Sequence, residues 1–256
     1  MIRGLYTSSA GMQVEELRQE TIANNLANLN TAGFKRDMAV VEARGGMQLW
    51  RTNNPTSANP LGPTQRVAIG TLGTGVEVQR FAKVFEQGNL RQTDNPLDVA
   101  LQGDGFFTLQ DQNGDKLYTR AGNFTLDRNG YLVDDGGRPV LGEHGAIHLG
   151  SGKVNITGDG TIQVDGRTVD RLALARFDNP DGTLEKVGDT LFRFHGDGAP
   201  PASTAVVKQG ALEEANVNSV REMVEMIAAM REYEANSKAL QAHDQALGHA
   251  VNDVAK

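Results

Sequence analysis

The sequence predicts a mainly β body held between two terminal helices that pair as a coiled-coil domain: an elongated, discontinuous, multi-domain subunit. Three observations lead there. Helix-like periodicity is confined to residues 5–29 and 217–254, at the two ends. Between about Val76 and Leu212 the chain reads as short strands broken by Asx-Gly pairs. Composition agrees, since 30 glycines and 5% aromatic residues suit a turn-rich β body better than a helical bundle. The expected division is 1–36 with 213–256 as a terminal helical assembly domain, 37–80 as an extended arm or linker, and 81–212 as the β-rich body.

At 256 residues the chain is long enough to bury a substantial core. A net charge of −7 without any basic stripe argues against a nucleic-acid partner. The absence of cysteine removes disulfides, thiolate metal sites and cysteine nucleophiles together. No apolar run reaches the ~18 residues of a transmembrane segment. The first twenty residues meet Glu15 and Glu16 before any apolar h-region has formed, so no cleaved secretory signal is expected.

The N-terminal helix places Leu5, Met12, Ile22, Leu26 and Leu29 on a seven-residue grid completed by Ser8, Glu15 and Gln19. So narrow and interrupted a stripe cannot hold a helix by itself, and a partner is expected. The helix runs into Asn24-Asn25-Leu26-Ala27-Asn28-Leu29-Asn30-Thr31-Ala32-Gly33-Phe34. Asparagine competes for backbone groups in a helix interior and serves at ends, and Gly33 suits a left-handed C-cap.

Residues 44–75 contain Gly45-Gly46, Asn53-Asn54-Pro55, Asn59-Pro60, Gly62-Pro63 and the single tryptophan, Trp50. They read as a long loop of the kind that is functional or disordered, in which Trp50 anchors either on its own body or on a neighbour. The body follows as hairpins: Val99 to Leu109 and Lys116 to Leu126 alternate or run apolar. Asn113-Gly114 and Asn129-Gly130 are expected to supply pairs of positive-φ residues, and Asp159-Gly160, Asp165-Gly166 and Asp181-Gly182 continue the turn rhythm. The expected product is curved and mostly antiparallel.

Candidates for chemistry fail in turn. Asp111 to Asp115 alternates oxygen ligands, but glycine comes early and no glutamate closes a calcium loop. Gly103-Asp104-Gly105 lacks the rest of a phosphate cradle. His144 and His148 have turn residues around them and no third ligand. No serine sits in a nucleophile elbow, and the aromatic residues are scattered along the chain rather than grouped for a concave site. No catalytic residue, cofactor or metal is expected.

The C-terminal helix repeats Met226, Tyr233, Leu240, Leu247 and Val254 every seven residues. Met223, Met230 and Val251 form a companion row with Ser237 and Asp244 as polar exceptions, a coiled-coil seam in spacing and length. Ser219 and Glu222 have capping-box spacing, with Asn218 competing for the N-cap.

Three strings resemble one known family. NNLANLNTAGFKR at residues 24–36 resembles the N-terminal signature of the axial proteins of the bacterial flagellum, carried here by Asn24, Asn25, Leu26, Ala27, Asn28, Asn30, Thr31, Gly33 and Phe34. The stretch from Gly88 to Leu141 resembles the rod proteins of that family. So does GALEEANVNSVREMVEMIAAMREYEANSKALQAHDQAL from Gly210, and the resemblance covers nearly the whole chain. It implies a structural, non-enzymatic subunit of the flagellar basal-body rod, FlgF/FlgG class; residues 137–162 lean to the first and 231–247 to the second.

The implied mechanism is helical polymerisation through the terminal helices after flagellar type III export, outside the cytoplasm. The implied partners are further copies, neighbouring rod and hook subunits and the export apparatus. The expected assembly residues are Leu5, Met12, Ile22, Leu26, Leu29, Trp50, Met226, Met230, Tyr233, Leu240, Leu247 and Val251. The competing reading is a soluble β-rich binding or carbohydrate-active domain with a helical dimerisation hairpin.

Overall fold

The computed structural model describes residues 2–53, 65–196 and 198–254. It is mostly β, with a helix at each end, and divides into two compact units. The first unit gathers Met1–Ala23, Met38–Phe81 and Met223–Lys256; the second gathers Asn24–Asp37 and Ala82–Glu222. Among the described residues no helix is long and apolar enough to cross a membrane.

In the first unit, helix α1 (Ile2–Ala27) runs antiparallel beside α3 (Ser219–Val254). The register can be read from the contacts. A Cβ on Gly4 would lie 2.5 Å from Nε2 of His243, and one on Gly11 would lie 2.8 Å from the Asn236 amide nitrogen. Two glycines seven residues apart thus admit two polar side chains seven apart on the opposite helix. Arg18 follows, its Nη1 3.1 Å from Glu232.

The middle of this unit is strand. β1 (Asp37–Ala43) pairs with β4 (Val76–Lys83), and β2 (Met47–Asn53) pairs with β3 (Gln65–Leu72). The expected long loop of residues 44–75 therefore holds the β2–β3 ladder over its described residues, and β1 and β4 flank it as a second ladder. The antiparallel register runs Met47↔Leu72, Leu49↔Gly70 and, after a bulge, Trp50↔Ala68. The breakers Asn54-Pro55, Asn59-Pro60 and Gly62-Pro63 lie outside the described residues.

The second unit is built on a five-stranded antiparallel sheet, ordered Leu174–Ala175, Phe106–Gln110, Lys116–Thr119, Leu191–Phe194 and Leu184–Lys186. Alternation along these strands buries both faces. Phe107, Leu109, Leu117 and Leu191 point into one core with Phe124, Leu132, Val140 and Ile162. Their chain neighbours Phe106, Tyr118 and Phe192 point into the other, with Ala175, Leu184, Phe85, Phe177 and Phe194. Aromatics scattered in sequence thus meet in space, with ring centroids 5.0–6.0 Å apart from Tyr118–Phe177 to Phe106–Phe192. Strand register collected what chain separation hid.

The turns depart from the expected pairs in an instructive way. At Asn113-Gly114 and Asn129-Gly130 only the glycine has positive φ, +88° and +83°. These are three-residue hairpin loops in which the glycine alone takes the left-handed position. Asp111 N–H donates to Asp115 O at 2.8 Å, and Asp127 N–H to Tyr131 O at 2.9 Å. Only Asp165-Gly166, at φ +49° and +79°, supplies the positive pair, and there Val164 pairs with Arg167 across a two-residue loop. Asp181-Gly182 is not a hairpin at all. It lies in the one-turn helix α2 (Pro180–Thr183), capped by Asn179 with proline in its first turn.

Candidate assembly site

The buried face of α1 carries Ser8, Glu15 and Ile22, with Gly11 and Val14 beside them, while Leu5, Met12, Leu26 and Leu29 are half-buried. The supposed polar interruptions are therefore inside. Glu15 is tolerated because Arg18 lies 2.9 Å from it and also reaches Glu232. Burial, helped by a hydrogen bond with Glu232, lifts the Glu15 carboxyl above its usual range against the pull of Arg18.

On α3 the expected rows separate. Met226, Tyr233, Leu240 and Leu247 are half-buried, and their inward companions are Ala229, Asn236, His243 and Ala250. Met223, Met230 and Val251 face water instead. The companion row lies three residues after each seam residue, not three before: Asn236 lies against Gly11 and His243 against Gly4, and neither glycine has a Cβ to obstruct it. No sequence pattern separates these choices, since both keep a period of seven. The side chain of Val254 lies outside the described residues. Trp50 is 52% exposed on β2, and Leu49 is half-buried beside it.

The two terminal signatures meet in the second unit. Asn25 is buried; its amide donates to the Asp37 carbonyl at 2.9 Å and to Glu222 at 3.2 Å, and its Oδ1 accepts from Asp37 N–H at 3.0 Å. Arg36 pairs with Glu222 at 2.6 Å, and its N–H donates to Asn216 Oδ1. This employment of Glu222 overrides the capping box, and Asn218 caps α3 by accepting from Arg221 N–H at 3.0 Å. Asn28 and Thr31 bond each other in the turns after α1, whereas Asn24 and Asn30 remain exposed. Leu26 is half-buried and Ala27 exposed where α1 ends.

Gly33 is left-handed, φ +69°, yet it lies six residues past Ala27 and does not cap α1. Its role is proximity: a Cβ there would be 2.2 Å from the Ala121 backbone nitrogen. Phe34 next to it is fully buried, with the Lys186 ammonium 4.5 Å from its ring centroid.

Beneath this junction lies a charged cluster that sequence reasoning missed. Glu213 is buried and receives Lys35 Nζ at 2.6 Å, Gly88 N–H at 3.0 Å and Arg120 Nη1 at 3.2 Å. Lys35 also donates to Glu86 O at 2.7 Å, and Arg120 to Gly103 O at 2.8 Å while covering the Phe106 ring. Burial pulls both cations below their usual pKa ranges, and Glu213 opposes it. A single carboxylate thus holds the end of the N-terminal signature, the start of the C-terminal one and the body together. Nothing in the sequence distinguishes Lys35 or Glu213 from solvated neighbours such as Glu214.

The weak metal candidates have other employment. His144 is bonded through Nδ1 to Asp170 at 2.9 Å, which raises its pKa, whereas His148 bonds Asn129 O at 2.8 Å and stacks edge-on against Tyr131.

In the second unit a buried polar node ties both terminal signatures to the β body, and in the first unit helical residues from the two chain ends lie side by side. Three family models match the corresponding stretches: flagella basal body rod protein over 5–35, flagellar hook protein FlgE/F/G D1 domain over 100–164, and flagellar basal body rod FlgEFG protein C-terminal over 208–253. The chain is 38% identical over 260 residues to the flagellar basal-body rod protein FlgG of Buchnera aphidicola subsp. Acyrthosiphon pisum, covering 96% of this chain and 98% of that protein. Identity to the FlgG of Borreliella burgdorferi is 35% over 267 residues, 98% of each chain. Identity to the flagellar hook-basal body complex protein FlhO of Bacillus subtilis is 32% over 276 residues, all of both chains. The chain belongs to the flagellar basal-body rod protein family.

Proposed function

We propose that this chain is a structural subunit of the flagellar rod that polymerises through its terminal helices, with neighbouring rod and hook subunits as its partners. Membership of the family and near full-length similarity to rod proteins make it a structural protein rather than an enzyme. The observation that carries the assembly reading is the helix pair. Its two members come from opposite chain ends, share a narrow and partly polar seam, and gain stability only from packing partners. A contact between unlike patches that does not close on itself generates a helical filament.

Export through the flagellar type III apparatus to the extracytoplasmic part of the basal body, without cleavage of a signal, belongs to the same proposal. Gly4 and Gly11 are the residues that admit His243 and Asn236. Loss of the first 15 to 30 residues would therefore remove the partner of α3. Mass spectrometry of basal bodies purified from the source cells should find the chain, beginning at Met1 or Ile2. Its absence from them would overturn the rod reading, and a start 15 to 30 residues downstream would overturn uncleaved export.

Trp50 belongs to the proposed contact surface as well. It stands half out of a two-stranded hairpin, beside the exposed Met47, Ile69 and Leu72, and an isolated two-stranded ladder is marginal in water. Its fluorescence, the only indole signal in the chain, should shift to the blue and lose quencher access on polymerisation. An emission maximum that stays solvent-like in assembled rods would leave Trp50 outside the interface.

A further inference from the structure

With Met226, Tyr233, Leu240 and Leu247 turned inward, the opposite side of α3 still carries a stripe of large apolar residues. Met223, Val224, Ile227 and Met230 are 56, 61, 53 and 49% exposed. At 3.6 residues per turn they share one face, and that face points away from Ala229, Asn236 and His243. Four neighbouring apolar side chains in water over two turns mark a contact surface. The face turns polar immediately afterwards, beginning with the exposed Arg231 one turn beyond Ile227.

The outer face of α1 has the complementary character. Gln13, Glu16, Glu20 and Ala23 are exposed along one side of that helix, acidic toward its middle and small toward its end. Glu16, Glu20 and Arg231 make no ion pair among the described residues, so their charges remain to be matched.

We propose that the outer stripe of α3 is the docking surface for the outer face of α1 in a second copy of this chain. The inference rests on the rod-subunit reading and names the faces that join. In an antiparallel arrangement Arg231 meets Glu16 and Glu20, while the small Ala23 lets the two backbones close over Val224 and Ile227. Two α3 stripes facing each other would bury the same apolar surface but leave both glutamates unmatched and close into a dimer. The α3-to-α1 contact joins unlike patches, so each copy retains one free surface of each kind and growth continues.

The absence of cysteine makes the test clean. Ala23→Cys and Val224→Cys are both at exposed positions, and each full-length variant is expressed alone or with the other in cells lacking the native gene. After mild oxidation of isolated rods, a cross-linked dimer should appear on co-expression at least tenfold above either variant alone, since a disulfide requires Cα atoms within about 7 Å. Equal dimer from Val224→Cys alone would indicate a symmetric α3 contact and overturn the proposal. Assembled rods with no cross-link in any arm would overturn it too. If the unsubstituted chain fails to enter rods, the rod reading itself fails and this one with it. As an independent measure, Glu20→Arg should cut swimming at least tenfold and Arg231→Glu in the same chain should restore it; a double variant no better than the single one counts against the pairing.

Discussion

Replacing Glu213 by glutamine should cost the second unit about 3–5 kcal/mol, because it leaves Lys35 and Arg120 buried without a counter-charge. Against a typical total of about 5–15 kcal/mol, that is a large share of the folded state's margin. Urea unfolding followed by circular dichroism should show an earlier midpoint at unchanged slope. The pH dependence supplies a second signature. Burial already holds the Lys35 ammonium below the ordinary lysine range, so between its folded and unfolded pKa the folded state binds fewer protons than the unfolded chain. Without the Glu213 carboxylate the folded pKa falls further. The variant should therefore recover stability as pH rises from its depressed folded pKa toward the ordinary lysine range. Replacing all three charged residues with apolar ones of similar volume should do much less harm than the single change. A Glu213→Gln loss under 1 kcal/mol, flat with pH, would mean that the cluster is not holding the junction.

Leu240→Asp should abolish swimming while leaving the body folded. Leu240 lies on the inward row between Asn236 and His243, the two residues that fit against Gly11 and Gly4, so the new carboxylate enters the helix pair. An unpaired charge there is penalised by lost solvation, and neither helix has enough apolar stripe to survive without the other. Hydrogen exchange on the purified variant should show loss of protection of at least tenfold in residues 5–22 and 226–247. Residues 99–119, whose strands sit in the other unit, should exchange as in the parent. Normal motility from this variant in a strain lacking the native gene would separate the helix pair from assembly.

Much of the architecture was legible because it is local. The strands and turns of the body announce themselves through period-two alternation and Asx-Gly pairs, and a helix could be placed at each end from its seven-residue spacing. The family was legible from strings at both ends and in the middle. What escaped were the features that depend on which residue faces which. Asn113 and Asp165 both precede glycine, yet one closes a three-residue loop and the other a two-residue loop, according to how the flanking strands pair. The strands of residues 47–53 and 65–72 were hidden by the glycines and prolines around them, and only their pairing makes them strands.

By itself, then, the chain order specified a β body, helical ends and the family to which they belong, since periodicity and turn chemistry act over a few residues. The choice of inward row on α3 needed the opposite helix, because Gly4 and Gly11 make room for His243 and Asn236 and turn Met223 and Met230 outward. The aromatic core needed strand register to bring Phe106, Tyr118, Phe177 and Phe192 together. The Lys35–Glu213–Arg120 cluster required the whole second unit, for its members are 178 and 93 residues apart and each looks solvated in its own neighbourhood. Burial is a property of what closes over a residue, and a charge is worth burying only where its partners have already been brought to it.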